Sequence, residues 1–267
     1  MFFPFESLWL PDHVVMPVQT TTPLPESQPG RGEIPEVYSH MCDPFVAMAM
    51  AAAVTTRLKV ATGVCLIPER NPLVTAKEIA TLDYFSGGRV VLGIGADWLK
   101  EESEILGANF PHRWTQTREY IAAMRELWTK DEASFAGKYV NFPPLRSYLK
   151  PAQKGGPPIL IGSKDKNALR WVAEWADGWC PIFLSPAQLR DDLKKLREEC
   201  KRTGRDYSKL DITIMKRGLR GDRANVQSGL HEYQDAGAER FVLALIGTRM
   251  TSSGYENQLE ELASLYI

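Results

Sequence analysis

Cysteine is scarce and scattered in this chain: Cys42, Cys65, Cys180 and Cys200 stand far apart, with no C-x-x-C pair. That spacing argues against a disulfide-stapled scaffold or a thiolate metal centre, and the four read as reduced, buried thiols of a cytoplasmic protein. The histidines form no H-x-H or H-E-x-x-H, so no metal site is expected. Excess charge of one sign is missing too. With 32 Lys+Arg against 33 Asp+Glu the formal net charge is -1, so no global field draws in nucleic acid or anionic lipid. Long apolar runs are absent: the longest, 45–54, is about half of a membrane span. The start, Met1-Phe2-Phe3-Pro4-Phe5, has no basic region and too short an apolar run for a secretion signal. Neither G-x-x-x-x-G-K-[ST] nor G-x-S-x-G occurs, which leaves P-loop and α/β-hydrolase readings without support.

What is present is an alternation. Short runs rich in Val, Ile and Leu at 7–10, 58–64, 90–95, 158–162, 179–183, 210–215 and 240–245 have the pattern of parallel strands buried on both faces. Helical segments lie between them. Asp43-Pro44 and Asn71-Pro72 open two of these as N-cap and N1, the first running to about Val54 and the second to Phe85, where Gly87-Gly88 stops it. The spacing predicts further helices over 113–129, 165–176, 186–203, 222–236 and 255–265. The 267 residues, alternating throughout without a dividing linker, predict one α/β domain over 1–267. Two stretches, 14–42 and 131–157, lack any period. Loops of that length in a compact domain usually serve a function, here as walls of a pocket. The helix at 45–54 is apolar nearly all round and so needs cover on both sides, from its own chain or from a second subunit.

Several residues invite chemistry. Asp12-His13 closes the first strand, where strand C-termini of a parallel barrel open into an active-site mouth and a histidine can exchange a proton. A capping His bound to the next loop is the plainer reading. Gly93-Ile94-Gly95 follows a strand, but Trp98 stands where a dinucleotide fingerprint needs its third Gly, so it reads as a strand end allowing close backbone approach. Asp97 lies just beyond. Glu101 and Glu102, one turn on, read as first-turn charges complementing a helix dipole. Gly162-Ser163-Lys164-Asp165-Lys166, between strand and helix, suits either an anion or an ordinary Ser cap with solvated lysines.

Several segments together resemble the luciferase-like monooxygenase superfamily, in its deazaflavin (F420)-dependent branch: the run 7–15, Asp43-Pro-Phe-Val-Ala, 55–64, 70–83, 86–98, 157–163 and Ala176-Asp-Gly-Trp. They keep the family's order and spacing over almost the whole chain. The resemblance implies a (β/α)8 TIM barrel whose first β-strand and helix are missing, since the strand at Ser7 matches the family's second. It also implies roles. Asp12 would meet the deazaflavin, and His13 would act as acid/base toward a small-molecule substrate. Gly63-Val64 matches a strand with a non-prolyl cis peptide that backs the cofactor ring. Gly95, Ala96 and Asp97 match the strand tip beside cofactor and substrate, with Asp97 as a second catalytic candidate. Gly162 and Ser163 match the phosphate-binding turn. The implied activity is hydride transfer with F420. The all-round apolar 45–54 helix, for its part, points to a homodimer joined through it. FMN-dependent oxygenation is the alternative within the family, and a shortened, non-catalytic partner protein is the alternative outside it.

Overall fold

The structure is a computed structural model that describes residues 5–23, 38–39, 41–219, 221–245 and 255–267, without the side chains of 255–258. Its contacts divide into two compact units. One is Ser7–Pro158; the other is Ile159–Ile267 together with the segment up to Glu6.

In the first unit β1 (Ser7–Leu10), β2 (Lys59–Leu66) and β3 (Val90–Gly95) pair in parallel, in that order. Every residue of β3 is buried, as its unbroken apolar run requires of a strand covered on both faces. α1 (Pro44–Val54) connects toward β2, and α2 (Pro72–Ser86) crosses from β2 to β3. The Asp43 side chain accepts the Val46 N–H at 2.9 Å, and the Asn71 side chain accepts those of Leu73 and Val74, satisfying donors that a helix start leaves orphaned. Gly87 ends α2 in the left-handed region at φ 70°, where a side chain would be strained. Arg89 then clasps the unit, its guanidinium donating to the carbonyls of Ala52, Thr55, Leu58 and Ser86.

After β3 come α3 (Lys100–Ile105) and α4 (Arg113–Thr129). The stretch 131–157, read from sequence as a loop, contains an antiparallel pair, β4 (Ala133–Ala136) and β5 (Asn141–Leu145). Pro143 and Pro144 inside β5 concealed it, because proline is tolerated only at sheet edges. Of the other predicted wall, 14–42, residues 24–37 and 40 lie outside the described residues.

The second unit carries β6 (Ile159–Ile161), β7 (Gly178–Trp179), β8 (Asp211–Lys216) and β9 (Arg240–Leu243), again parallel and in order. α5 (Ala168–Trp175), α6 (Pro186–Thr203), α7 (Arg223–Ala236) and α8 (Tyr255–Tyr266) follow them in turn. α6 opens on a Ser185/Gln188 capping box, the reciprocal arrangement its sequence calls for. β7 is shorter than the predicted 179–183, because beyond Trp179 only Ile182 bridges to Met215. The seven predicted parallel strands are all found among the described residues.

One expectation needs correction. Cys42 is exposed, unlike the buried Cys65, Cys180 and Cys200, because it lies in the irregular lead-in to α1. α1 buries Phe45 and Met48 but leaves Val46, Met50 and Val54 bare at 62%, 69% and 84% exposure. Their i, i+4, i+8 spacing makes a single stripe that the described residues leave uncovered.

Candidate active site

The register of the first sheet sets the site. Leu10 pairs with Thr62, and Thr62 with Leu92, so the segments that follow these residues emerge side by side. Between Thr62 and Cys65 the β2–β3 register slips: Gly63 and Val64 together oppose Gly93 alone, a β-bulge. The Gly63–Val64 peptide is cis, as the resemblance implies. These two residues are also partly exposed, although the rest of β2 beyond Lys59 is buried. The bulge is therefore where this strand shows itself to a ligand. Gly95 makes it possible from behind. A Cβ there would lie 2.6 Å from the Val64 Cγ2 methyl, so only glycine lets the two strands approach this closely.

Asp12 and His13, adjacent in sequence, are used in opposite ways. Asp12 is buried, and Arg70 grips it with two bonds, Nε to Oδ2 at 2.9 Å and Nη2 to Oδ1 at 2.6 Å. Oδ2 also accepts the Leu66 N–H. Both oxygens are thus spent on an internal anchor between β1 and the end of β2, a bidentate pairing that suits guanidinium geometry. The implied contact of Asp12 with a cofactor ring gains nothing from this geometry.

His13 faces Glu102 instead, with Nδ1 2.5 Å from Glu102 Oε2. Glu102 is fully buried, and its Oε1 accepts the N–H groups of Val14 and Val15 at 2.7 and 3.1 Å. Its neighbour Glu101 accepts the N–H and Oγ1–H of Thr21 and of Thr22. These bonds, led by the threonine contacts, hold the Glu101 carboxyl down at about 2. The sequence reading of both glutamates as simple helix-dipole charges is corrected here. They do occupy the first turn of α3, but they also fasten the segment 13–22. Tyr38 packs edge-on against the His13 ring, centroids 4.9 Å apart.

Gly95, Ala96 and Asp97 form the tip beyond β3. Ala96 is buried, and Asp97 takes a left-handed backbone at φ 65°, a conformation Asp tolerates better than most residues. Its Oδ1 accepts the Trp98 N–H, while its Oδ2 is buried and receives no N–H or hydroxyl donor, and the same holds for Oε2 of Glu69. The carboxyls of Glu69 and Asp97 interact with each other, and burial is the main cause that raises each above its ordinary value. A proton on Glu69, donated to Asp97, satisfies both otherwise orphaned oxygens. Ser103 Oγ donates to the other oxygen of Glu69 at 3.0 Å. One ligand-type atom each from His13, Asp97 and Glu102 falls within a 4.8 Å cluster.

Sequence reasoning missed Glu69, Arg70 and the true role of Glu102. A buried partner from another element leaves no periodic mark. The available hint was an ionisable pair, Glu69-Arg70, directly behind the apolar run 64–68.

In the second unit Gly162 and Ser163 follow β6, both partly exposed. Ser163 Oγ accepts the Asp165 N–H at 3.0 Å, and the Ser163 carbonyl accepts the Trp179 indole N–H at 2.9 Å. Lys164 and Lys166 are exposed. The helix begins later than the predicted 165, at Ala168, because Asp165 first closes a turn onto Asn167. Ser163 is therefore a turn-former five residues ahead of α5, not its cap.

The donor set suits a flat redox cofactor of the kind the resemblance implies. A backbone bulge is exposed at Gly63 and Val64, and a histidine with one ring nitrogen engaged stands at the neighbouring strand end.

Comparison with known proteins extends this. An uncharacterised protein of Mycobacterium tuberculosis is 38% identical over 176 residues, covering 66% of this chain and 62% of the relative. The chain thus spans about three-fifths of that relative's length. An F420-dependent glucose-6-phosphate dehydrogenase of Kineococcus radiotolerans is 28% identical over 215 residues, covering 78% and 58%. Among solved structures, the coenzyme F420 dependent tetrahydromethanopterin reductase of Methanopyrus kandleri aligns with TM-score 0.75 at 18% identity, over 98% of this chain and 90% of that one. The oxygenating constituent of 3,6-diketocamphane monooxygenase from Pseudomonas putida, in complex with FMN, aligns with TM-score 0.75 at 16% identity, over 98% and 88%. At such identities these likenesses fix the fold, the parallel α/β barrel of luciferase-like enzymes. The model of that family matches residues 5–249, and the chain belongs to the luciferase-like monooxygenase family.

Proposed function

We propose that this chain is an oxidoreductase that moves hydride between deazaflavin F420 and a small organic substrate. The observation that carries the reading is the pairing of an accessible β-bulge at Gly63 and Val64 with His13 at the next strand end. F420, when bound, supplies the hydride chemistry, and the protein binds, orients and shelters it. Gly63 and Val64 back the ring, and Gly95 and Ala96 give the β3 tip room beside it. His13 exchanges the substrate proton, a role suited to imidazole near neutral pH. Asp97, paired with Glu69, lines the same tip as a polar wall rather than as a free base. Asp12 acts on the cofactor indirectly, by fixing the end of β1. Gly162 and Ser163 take a phosphate of the cofactor, with Lys164 and Lys166 adding positive charge. The bare stripe Val46, Met50 and Val54 on α1 is the homodimer contact. Among the described residues no helix is long and apolar enough to cross a membrane. The location proposed for the enzyme is the cytoplasm.

Titration with F420 and with FMN, followed by fluorescence quenching, tests this reading. Micromolar F420 binding, lost in Ser163→Asp and kept in His13→Ala, supports the cofactor pose and leaves His13 to the chemistry. FMN binding alone moves the chain to oxygenase chemistry. If neither binds, a non-catalytic partner protein is the better description.

A further inference from the structure

We infer that Glu102 is the positioning residue for His13: it fixes the imidazole tautomer so that Nε2, not Nδ1, exchanges the proton. The inference rests on the reading of His13 given under Proposed function. The geometry is specific. Glu102 Oε1 is committed as an acceptor to two backbone N–H groups, Val14 and Val15, which can only donate. Its second oxygen, Oε2, meets His13 Nδ1 at 2.5 Å with the glutamate fully buried. A carboxylate in this position accepts, so Nδ1 carries the hydrogen and the Nε2 lone pair is left for substrate. When Nε2 takes up a proton from substrate, the imidazolium formed is paired at once with a buried carboxylate that needs no reorganisation. The same division of labour recurs wherever a buried carboxylate orients a catalytic histidine.

The arrangement also ties readiness to loop position. Residues 13–15 hang on Glu102, and Thr21 and Thr22 hang on Glu101, one residue earlier on the same turn of α3. The start of α3 thus acts as a two-point latch on the segment 13–22. The ionisable groups facing the His13 ring are Glu102 and Asp97, with Glu69 behind Asp97; Tyr38 and Trp98 supply the aromatic sides.

Glu102→Gln gives a sharp test. The single amide oxygen must serve Val14 and Val15, which turns the NH2 group toward His13 Nδ1. The loop stays fastened, but the ring must now accept at Nδ1 and carry its hydrogen on Nε2. The readout is the pair of ring-nitrogen shifts of His13 by NMR at about pH 9, where an ordinary imidazole is neutral. In the native chain the Nδ1–H form is expected, and in Glu102→Gln the two nitrogens exchange character. A native chain showing Nε2–H overturns the proposal without any variant. An unchanged tautomer in a folded Glu102→Gln, with its β3 amide signals intact, also overturns it.

The latch is read separately by amide exchange. Glu101→Ala should raise exchange at Thr21 and Thr22 by about tenfold, the order expected when a charged acceptor is lost. Val14 and Val15 should keep their protection; equal loosening of all four removes the two-point latch. F420 titration of Glu102→Gln keeps the two readings apart. Binding retained with the tautomer reversed fits a positioning residue, and a native chain that fails to bind F420 removes the proposed function while the tautomer still decides the role of Glu102.

Discussion

The tips of β1 and β3 and the turn after β6 carry the two sets of candidate site residues, and they are built from opposite materials. At the first, Asp12, Glu69 and Glu102 are buried, and each has its partner inside the protein. At the second, Ser163 is partly exposed, its neighbours Lys164 and Lys166 are solvated, and the hydrogen bonds are short-range ones within the turn or to Trp179. Burying a charge is costly unless geometry repays it, so the first region is an investment in preorganised polar groups. The second presents groups that lose little by meeting water and can turn to an anion at small cost. One is suited to chemistry, the other to holding.

The largest effect expected from breaking this contrast is at Arg70. Arg70→Ala leaves the Asp12 carboxylate buried without its guanidinium, and loss of one partner of a buried pair costs about 3–5 kcal/mol. A denaturant midpoint close to that of the native chain would mean that Asp12 is hydrated and that the anchor is not internal.

Gly95→Val comes next. The new side chain meets the stiff β-branched Val64, and overpacking of this kind costs about 1–3 kcal/mol. Cofactor affinity should fall with stability, because the bulge must move. Thermal unfolding and titration on the same variant check both, and a loss of stability with unchanged affinity would separate the bulge from the cofactor.

Glu69→Gln should change a slope more than a level. The Glu69 carboxyl is raised above its ordinary 4.5 first by burial and then by Asp97. A raised acid stabilises the fold fully below its unfolded value and progressively less as pH climbs toward the folded one. The native chain therefore loses this contribution above about pH 4.5. The Gln variant keeps a donor toward Asp97 and lacks that slope. Urea midpoints at acid and mildly alkaline pH decide the matter: parallel profiles for the two proteins would dissolve the shared proton.

The smallest effect belongs to the second region. Ser163→Ala removes one turn hydrogen bond at a partly exposed site, and stability should change by no more than about 0.5 kcal/mol. A loss of several times that would make the turn a structural element like the β1 tip and erase the contrast.

Much of this was legible beforehand, for identifiable reasons. The strand run at 90–95 stood out because a strand buried on both faces needs unbroken apolar sequence. The starts of α1, α2 and α6 stood out because Asp43, Asn71 and Ser185, each followed by proline, solve a local problem of unpaired N–H groups. His13 and Gly95 could be nominated from their places at strand ends. The β4–β5 pair was hidden by its prolines, and the partners Arg70, Glu69 and Glu102 by their distance along the chain.

The sequence by itself determined what is set within a turn or a strand: element order, caps, the glycine stops and family membership. Only the tertiary structure decided which of two adjacent residues is gripped by an arginine and which faces a buried glutamate. Asp12 and His13 are equally polar on paper, and their difference comes from Arg70 and Glu102, residues 58 and 89 positions away. Local signals have no access to that information, because a buried charge is defined by what is brought against it, and only the packed fold brings it.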